Sequence, residues 1–157
     1  MSSLTIETPI KHIKTNILIN PKIIAVMNSS QSNSDKISNE ESTNNSYDII
    51  NQNKLNRYTG TDKLDNSKRI TYGVEIINNN IKLNFSQNYE FTKNSNYHFE
   101  NGNKHNLSDA LGSVNYNGKT NKLNYNTRYD PHLKGFKSQE ITYTNINKFA
   151  STSLTYI

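Results

Sequence analysis

Three histidines, His98, His105 and His132, are the side chains best suited to bind a metal or move a proton. Metal or hydrolytic chemistry would need them in a fixed frame. A zinc site on one helix face is spelled His-Glu-x-x-His, and a nucleophile on a sharp turn is spelled Gly-x-Ser-x-Gly. Neither frame occurs, and the absence of Cys removes thiolate ligands and disulfides. His98 and His105 fall in a polar stretch that reads as a loop. Asp130 and His132, with serine nearby, could suggest a lipase pair, but nothing fixes their geometry and an exposed loop accounts for them. Asn39-Glu40-Glu41-Ser42 and Asp35 offer oxygen ligands for Ca²⁺, without the central glycine that usually shapes such a loop. The expectation is a protein with no catalytic residues, no metal and no cofactor.

The remaining charged residues have a different order. Arg69, Glu75, Lys82, Glu90, Arg128 and Glu140 each sit at one parity of a run whose other parity is apolar. Alternation of period two marks a β-strand with two unlike faces. In the clearest run, Ile70, Tyr72, Val74 and Ile76 oppose Arg69, Thr71, Gly73 and Glu75. After Asn78-Asn79-Asn80, the residues Ile81, Leu83, Phe85, Tyr89 and Phe91 oppose Lys82, Asn84, Ser86, Asn88 and Glu90, which predicts a hairpin. Further runs place Ala110, Gly112, Val114 and Tyr116 together, then Leu123, Tyr125, Thr127 and Tyr129 after the Asn117-Gly118 turn. Leu111 breaks the pattern by sharing a face with Asp109, Ser113 and Asn115. Ile141 and Tyr143, and then Ala150, Thr152, Leu154 and Tyr156, supply two more strands. Ile17, Ile19, Ile23, Ala25 and Met27 supply another, weakened by Pro21 on the same face. About seven strands result, with no helix longer than a turn.

Composition sets the limits. Hydrophobic residues make up 32% of 157, and 28 are Asn, a balance that commonly marks disorder. Abundant Tyr and Ile, both strand formers, and their regular alternation argue against it. The formal charge is +5, yet Lys and Arg are scattered among acids with no run of five, so a nucleic-acid partner is not expected. No apolar stretch approaches the length of a membrane-crossing helix. The start, Met1-Ser2-Ser3-Leu4-Thr5-Ile6-Glu7, has neither the basic segment nor the apolar run of a secretory signal.

Connections alternate in length: long over 28–66 and 92–106, short at 78–80, 117–121 and 145–148, intermediate over 130–137. Outer-membrane barrels sort their connections this way, with tight periplasmic turns and long outer loops. A charged polar face suits a water-filled lumen. On the lipid face at mid-depth, a basic residue costs about 2–4 kcal/mol. Tyr89, Tyr116, Tyr129 and Tyr156 lie near strand ends, where an interfacial aromatic girdle would place them. The pattern predicts an all-β antiparallel meander forming part of a large transmembrane outer-membrane β-barrel, a single partial barrel domain over residues 1–157 with an extracellular loop at 28–66. A porin-like channel and a soluble β-rich surface-binding module stay open as alternatives.

Particular segments narrow the choice. Asn39-Glu40-Glu41-Ser42 is followed by Leu55-Asn56-Arg57-Tyr58-Thr59-Gly60-Thr61-Asp62 and Arg69-Ile70-Thr71-Tyr72-Gly73. Their order and spacing resemble the LptD family, also called organic solvent tolerance protein. Gln87-Asn88-Tyr89, Ser108-Asp109-Ala110-Leu111-Gly112 and, upstream, Pro21-Lys22-Ile23 resemble neighbouring strands of that family in the same order. The likeness runs from about residue 10 to the end. The family's periplasmic N-terminal domain, first strands and last few strands have no counterpart here, and neither have the cysteines of some members. With no signal and Ile157 in mid-strand, the chain reads as a fragment of the C-terminal barrel region that should not fold alone in detergent.

The resemblance implies transport without covalent chemistry, in the outer membrane of a Gram-negative cell. The barrel would be plugged by a lipoprotein, supplied with lipopolysaccharide by periplasmic bridge proteins, surrounded by outer-membrane lipids, and would release lipopolysaccharide sideways into the outer leaflet. Apolar residues in the long loop (Ile49, Ile50, Leu55, Tyr58, Leu64) need somewhere to pack, so 49–65 is expected to fold over the lumen mouth. Asn56, Arg57, Tyr58 and Asp62 are the candidate contacts there, with Arg57 paired to a carboxylate or carbonyl. Arg69, Glu75, Lys82, Glu90, Arg128 and Glu140 are the candidate lumen-facing wall.

Overall fold

In a computed structural model, residues 2–28, 47–49, 51–56, 58, 66–92 and 105–157 are described. Nine strands occur among them: β1 (Ser2–Glu7), β2 (Ile10–His12), β3 (Ile17–Met27), β4 (Lys68–Asn78), β5 (Ile81–Glu90), β6 (Ala110–Asn117), β7 (Asn121–Asp130), β8 (Gly135–Ile146) and β9 (Ser151–Tyr156). The sheet order is β1-β3-β4-β5-β6-β7-β8-β9, with β2 also paired to β3. From β3 onward each strand lies beside its sequence neighbour, so the fold is an antiparallel meander without crossovers. Among the described residues, the helical content is one 3-10 turn, Asn51–Asn53. β1 and β9 stand at the two ends of the sheet order among the described residues.

Two strands and one boundary depart from the expectation of seven strands. The extra strands are β1 and β2, which both lie along β3 and are separated at Thr8-Pro9. Proline lacks the N–H that a ladder needs. Pro21 lies opposite this break, where the Thr8 N–H donates to its carbonyl at 3.3 Å, so β3 passes through Pro21 intact. The boundary concerns β8, which starts at Gly135, reducing the 130–137 connection to residues 131–134. A bulge hides that start from a period-two reading. Arg128 pairs with Ser138 but Tyr129 pairs with Phe136, so Lys137 is an extra residue and parity changes across it. The Tyr129 and Phe136 rings then meet edge to face on one side of the sheet, with centroids 5.4 Å apart.

The described chain forms two compact units, one of residues 1–6, 23–72 and 87–109, the other of 7–22, 73–86 and 110–157. In the second, directly opposed residues share a face, so register alone sorts the side chains. One row is Leu83, Val114, Tyr125, Ile141 and Tyr156 across five strands. The adjacent row is Ile81, Tyr116, Leu123, Tyr143 and Leu154. The reverse face carries Lys82, Asn115, Asn124, Thr142 and Thr155, and then Asn84, Ser113, Asn126 and Glu140.

Burial inverts the usual globular arrangement. Among the described residues, the buried hydrophobic side chains are Ile24, Val26, Tyr47, Tyr58 and Leu111, against thirteen buried polar or charged ones. Ile81, Leu83, Phe85, Tyr116, Ile141, Tyr143, Leu154 and Tyr156 are exposed. A soluble sandwich would bury those rows between two sheets. Leu111, the sequence exception, is buried on the polar face, opposite Ser86 and Arg128.

Candidate functional site

In the first unit, β4 and β5 meet the ends of both long connections, and what they enclose is polar. Arg69 is only 1% exposed. Its Nη1 donates to Ser67 Oγ at 2.9 Å, and Ser67 Oγ donates to Glu90 Oε2 at 2.7 Å. A serine thus links a buried guanidinium to a buried carboxylate. Glu90 Oε1 also accepts from the Lys68 N–H at 2.9 Å and from the Thr92 hydroxyl. Arg69 Nη2 donates to the carbonyl of Lys54, which ties the long connection down onto β4. Charges are buried at tolerable cost only when hydrogen-bonded in this way.

Ser108 forms a second junction. Its hydroxyl pairs with the Tyr47 hydroxyl at 2.6 Å and accepts from the Asn88 N–H at 2.9 Å, while its carbonyl accepts from Gln87 Nε2 at 2.8 Å. The two long connections are therefore joined to each other through Tyr47 and Ser108. Asp48 then caps the 3-10 turn, its carboxylate accepting from the Asn51 N–H at 2.7 Å and from Asn51 Nδ2 at 2.8 Å. Gln52 and Tyr58 are buried, and the Tyr58 N–H donates to Asn56 Oδ1 at 3.3 Å. Leu55, expected to pack with the other apolar residues of the loop, is instead exposed.

The candidate residues separate into distinct environments. Arg69 and Glu90 are buried and linked through Ser67. Glu75 and Lys82 form a 2.6 Å ion pair on the polar face of the hairpin. Arg128 is half-buried, across from Leu111 and Ser138, and Glu140 is exposed opposite Asn126. Of the loop contacts, Asn56 and Tyr58 are placed as above, while Arg57 and Asp62 lie outside the described residues. So do His98 and the Asn39-Glu40-Glu41-Ser42 segment with Asp35. The Asp130/His132 pair is a turn cap, in which Asp130 Oδ1 accepts the backbone N–H groups of His132 at 2.8 Å and Leu133 at 3.1 Å. Among the described residues, no three His, Cys, Asp or Glu side chains gather as metal ligands.

Polar groups on the apolar face are hydrogen-bonded by tyrosine. Tyr72 donates to Gln87 Oε1 at 2.7 Å in the first unit. In the second, Tyr125 donates to Gln139 Oε1 at 3.2 Å and Tyr143 to Asn121 Oδ1 at 2.8 Å. Each hydroxyl gives a side-chain amide oxygen a donor on the apolar face.

The chain, a meander with one apolar and one polar face, matches a family model along nearly its whole length. The family model described as LPS transport system D, LptD, covers residues 2–157. The chain belongs to the LptD family. LptD proteins act in lipopolysaccharide transport and assembly at the Gram-negative outer membrane and are not enzymes. Among curated proteins, no significant match to the chain is found. Three of the LptD-like segments noted in the sequence contribute residues to the junctions just described. Arg69 opens one of them and Ser108 another, while Asn88 and Gln87 belong to a third. Ser67 and Tyr47 lie outside every such segment and had no sequence signal, because a serine or tyrosine in a loop is unremarkable until its partner is known.

Proposed function

We propose that this chain supplies part of the wall, and one folded outer loop, of an outer-membrane β-barrel that delivers lipopolysaccharide to the outer leaflet. The observation that carries this reading is the inverted sheet, with rows of exposed Leu, Ile, Phe and Tyr backed by a polar face of Lys, Asn, Ser, Thr and Glu. Lipid satisfies the first face and a water-filled lumen the second. Among the described residues β1 and β9 end the strand order, and in hydrocarbon the outer backbone groups of both would need strand partners.

A lipopolysaccharide molecule needs both surfaces at once. Its sugars require hydrogen-bonding groups along a wet path, and its acyl chains require a route that avoids water. Glu75, Lys82, Arg128 and Glu140 furnish charged groups on the polar wall. The candidate contacts Asn56, Arg57, Tyr58 and Asp62 would meet either the departing sugars or a plug lipoprotein. No covalent step is involved. Periplasmic bridge proteins would supply the cargo from the side of the short turns.

The test is depletion in the host cell. Switching off synthesis of the protein should lower newly made lipopolysaccharide at the cell surface, measured by surface labelling, and raise the amount held inside. Surface lipopolysaccharide that stays unchanged after the protein has disappeared from the outer membrane would contradict the reading.

A further inference from the structure

The lysines look scattered in sequence, but the fold gathers several of them at one end. The turns at 13–16, 79–80, 118–120 and 147–150 all lie at the end of the strands opposite the long connections, within the second unit. Asparagines join them into a continuous rim. Asn16 Nδ2 donates to Asn79 Oδ1 at 2.8 Å, Asn80 Nδ2 to the Asn117 carbonyl at 2.7 Å, and the Asn117 N–H to the Asn80 carbonyl at 2.8 Å. Further along, Asn145 Nδ2 donates to Asn121 Oδ1 at 2.7 Å and the Ile146 N–H to the Thr120 carbonyl at 2.7 Å. Asn16 and Asn79 hold positive φ angles of 51° and 43°, a conformation asparagine tolerates better than most residues.

On this rim stand Lys14, Lys119 and Lys148, all exposed, and the four turns contain no Asp or Glu. Two of the lysines have an apolar neighbour at the turn tip. Ile13 is 86% exposed and Phe149 is 97% exposed. The Phe149 turn is built to that shape, since Asn147 Oδ1 accepts the N–H groups of Phe149 at 3.0 Å and Ala150 at 2.8 Å. A solvated turn has no use for a bare phenylalanine beside a lysine. An anionic lipid surface satisfies both, taking the ring into the acyl boundary and the ammonium among phosphates.

We propose that this rim is a docking strip for anionic phospholipid headgroups, with Lys14, Lys119 and Lys148 binding phosphate while Ile13 and Phe149 enter the interface. It rests on the barrel-wall reading above and adds a lipid preference to the short-turn side. An attached lipid annulus there would fix the depth at which the wall sits.

This chain contains no Trp, so a Trp introduced into it, with any Trp elsewhere in the assembled protein replaced, reports alone. Protein assembled in outer membranes is extracted and reconstituted into phosphatidylcholine vesicles carrying equal fractions of brominated phosphatidylglycerol or brominated phosphatidylcholine. Phe149→Trp reports on the rim and Leu83→Trp on the apolar face. Rim emission should be quenched at least about twofold more by the anionic quencher, because each surface lysine favours anionic lipid. The preference should fall to parity in the added background K14Q/K119Q/K148Q, and at 1 M salt, where the screening length is about 3 Å. Leu83→Trp should be quenched equally by both lipids. Equal quenching of Phe149→Trp by both, with Leu83→Trp still quenched, overturns the lipid strip and leaves the wall intact. An unquenched Leu83→Trp overturns the wall reading and this inference with it.

Discussion

Glu90→Ala is expected to destabilise the loop-bearing end of the sheet by about 3 kcal/mol or more, the cost typical of removing one partner from a buried ionic network. The carboxylate receives the Ser67 hydroxyl and the Lys68 N–H, and through Ser67 it faces the buried Arg69. Its removal leaves a guanidinium out of water without that counter-charge. Glu90→Gln keeps the volume and one acceptor oxygen, and should cost about half as much. Urea unfolding in detergent, on protein taken from the outer membrane, gives the ranking. Because Arg69 also holds the Lys54 carbonyl, the alanine variant should expose the 47–58 segment to added protease before the strands unfold. If both variants fall within about 0.5 kcal/mol of the parent, the range usual for plain surface changes, the network has no structural role.

A second large effect belongs to Gly73. A Cβ built there would lie 2.6 Å from the Phe85 carbonyl oxygen and 2.9 Å from Ser86 Cβ. The first contact is with backbone, which cannot rotate away, so β4 and β5 would have to separate. Gly73→Val should cost about 3 kcal/mol or more, at the upper end of overpacking effects. It should also lower the amount of protein assembled in the outer membrane, read by immunoblot of membrane fractions. Gly112, whose Cβ would meet only a Thr127 methyl at 3.1 Å, is the control and should accept Ala at about 1 kcal/mol. Equal assembly of Gly73→Val and the parent would show that β4 and β5 are not held this closely. The same contact explains why the Arg69-Ile70-Thr71-Tyr72-Gly73 segment ends on glycine.

Much of the sheet was legible because one rule, period-two alternation, governs most of β4 to β9 and needs no knowledge of partners; in β3 it is blurred by Ile24 and Val26, which are buried on the face opposite Ile23 and Met27. The rule failed where an extra residue changed parity, at Lys137, and where a strand was short and broken, at Pro9. The site was less legible. Arg69 and Glu90 could be assigned to a polar face, but their linkage depends on Ser67, which brings together residues 21 positions apart. Alternation shows which face a side chain occupies and carries no information on what covers that face. Asp130 and His132 show the converse. Two residues able to do acid–base chemistry are placed together by a turn that uses one to cap the other's backbone.

The central claim is that the apolar face of the sheet meets lipid and the polar face meets water. With no Cys in this chain and any Cys elsewhere in the protein replaced, single cysteines can be placed along β5 at Ile81, Lys82, Leu83, Asn84, Phe85 and Ser86 and spin-labelled in membrane-assembled protein. Relaxation by oxygen, which concentrates in lipid, is compared with relaxation by a water-soluble nickel chelate. Ile81, Leu83 and Phe85 should favour oxygen while Lys82, Asn84 and Ser86 favour nickel, with the preference reversing at every residue. Labels at Leu83 and Phe85 that meet the nickel chelate as readily as those at Lys82 and Asn84 would contradict a membrane wall.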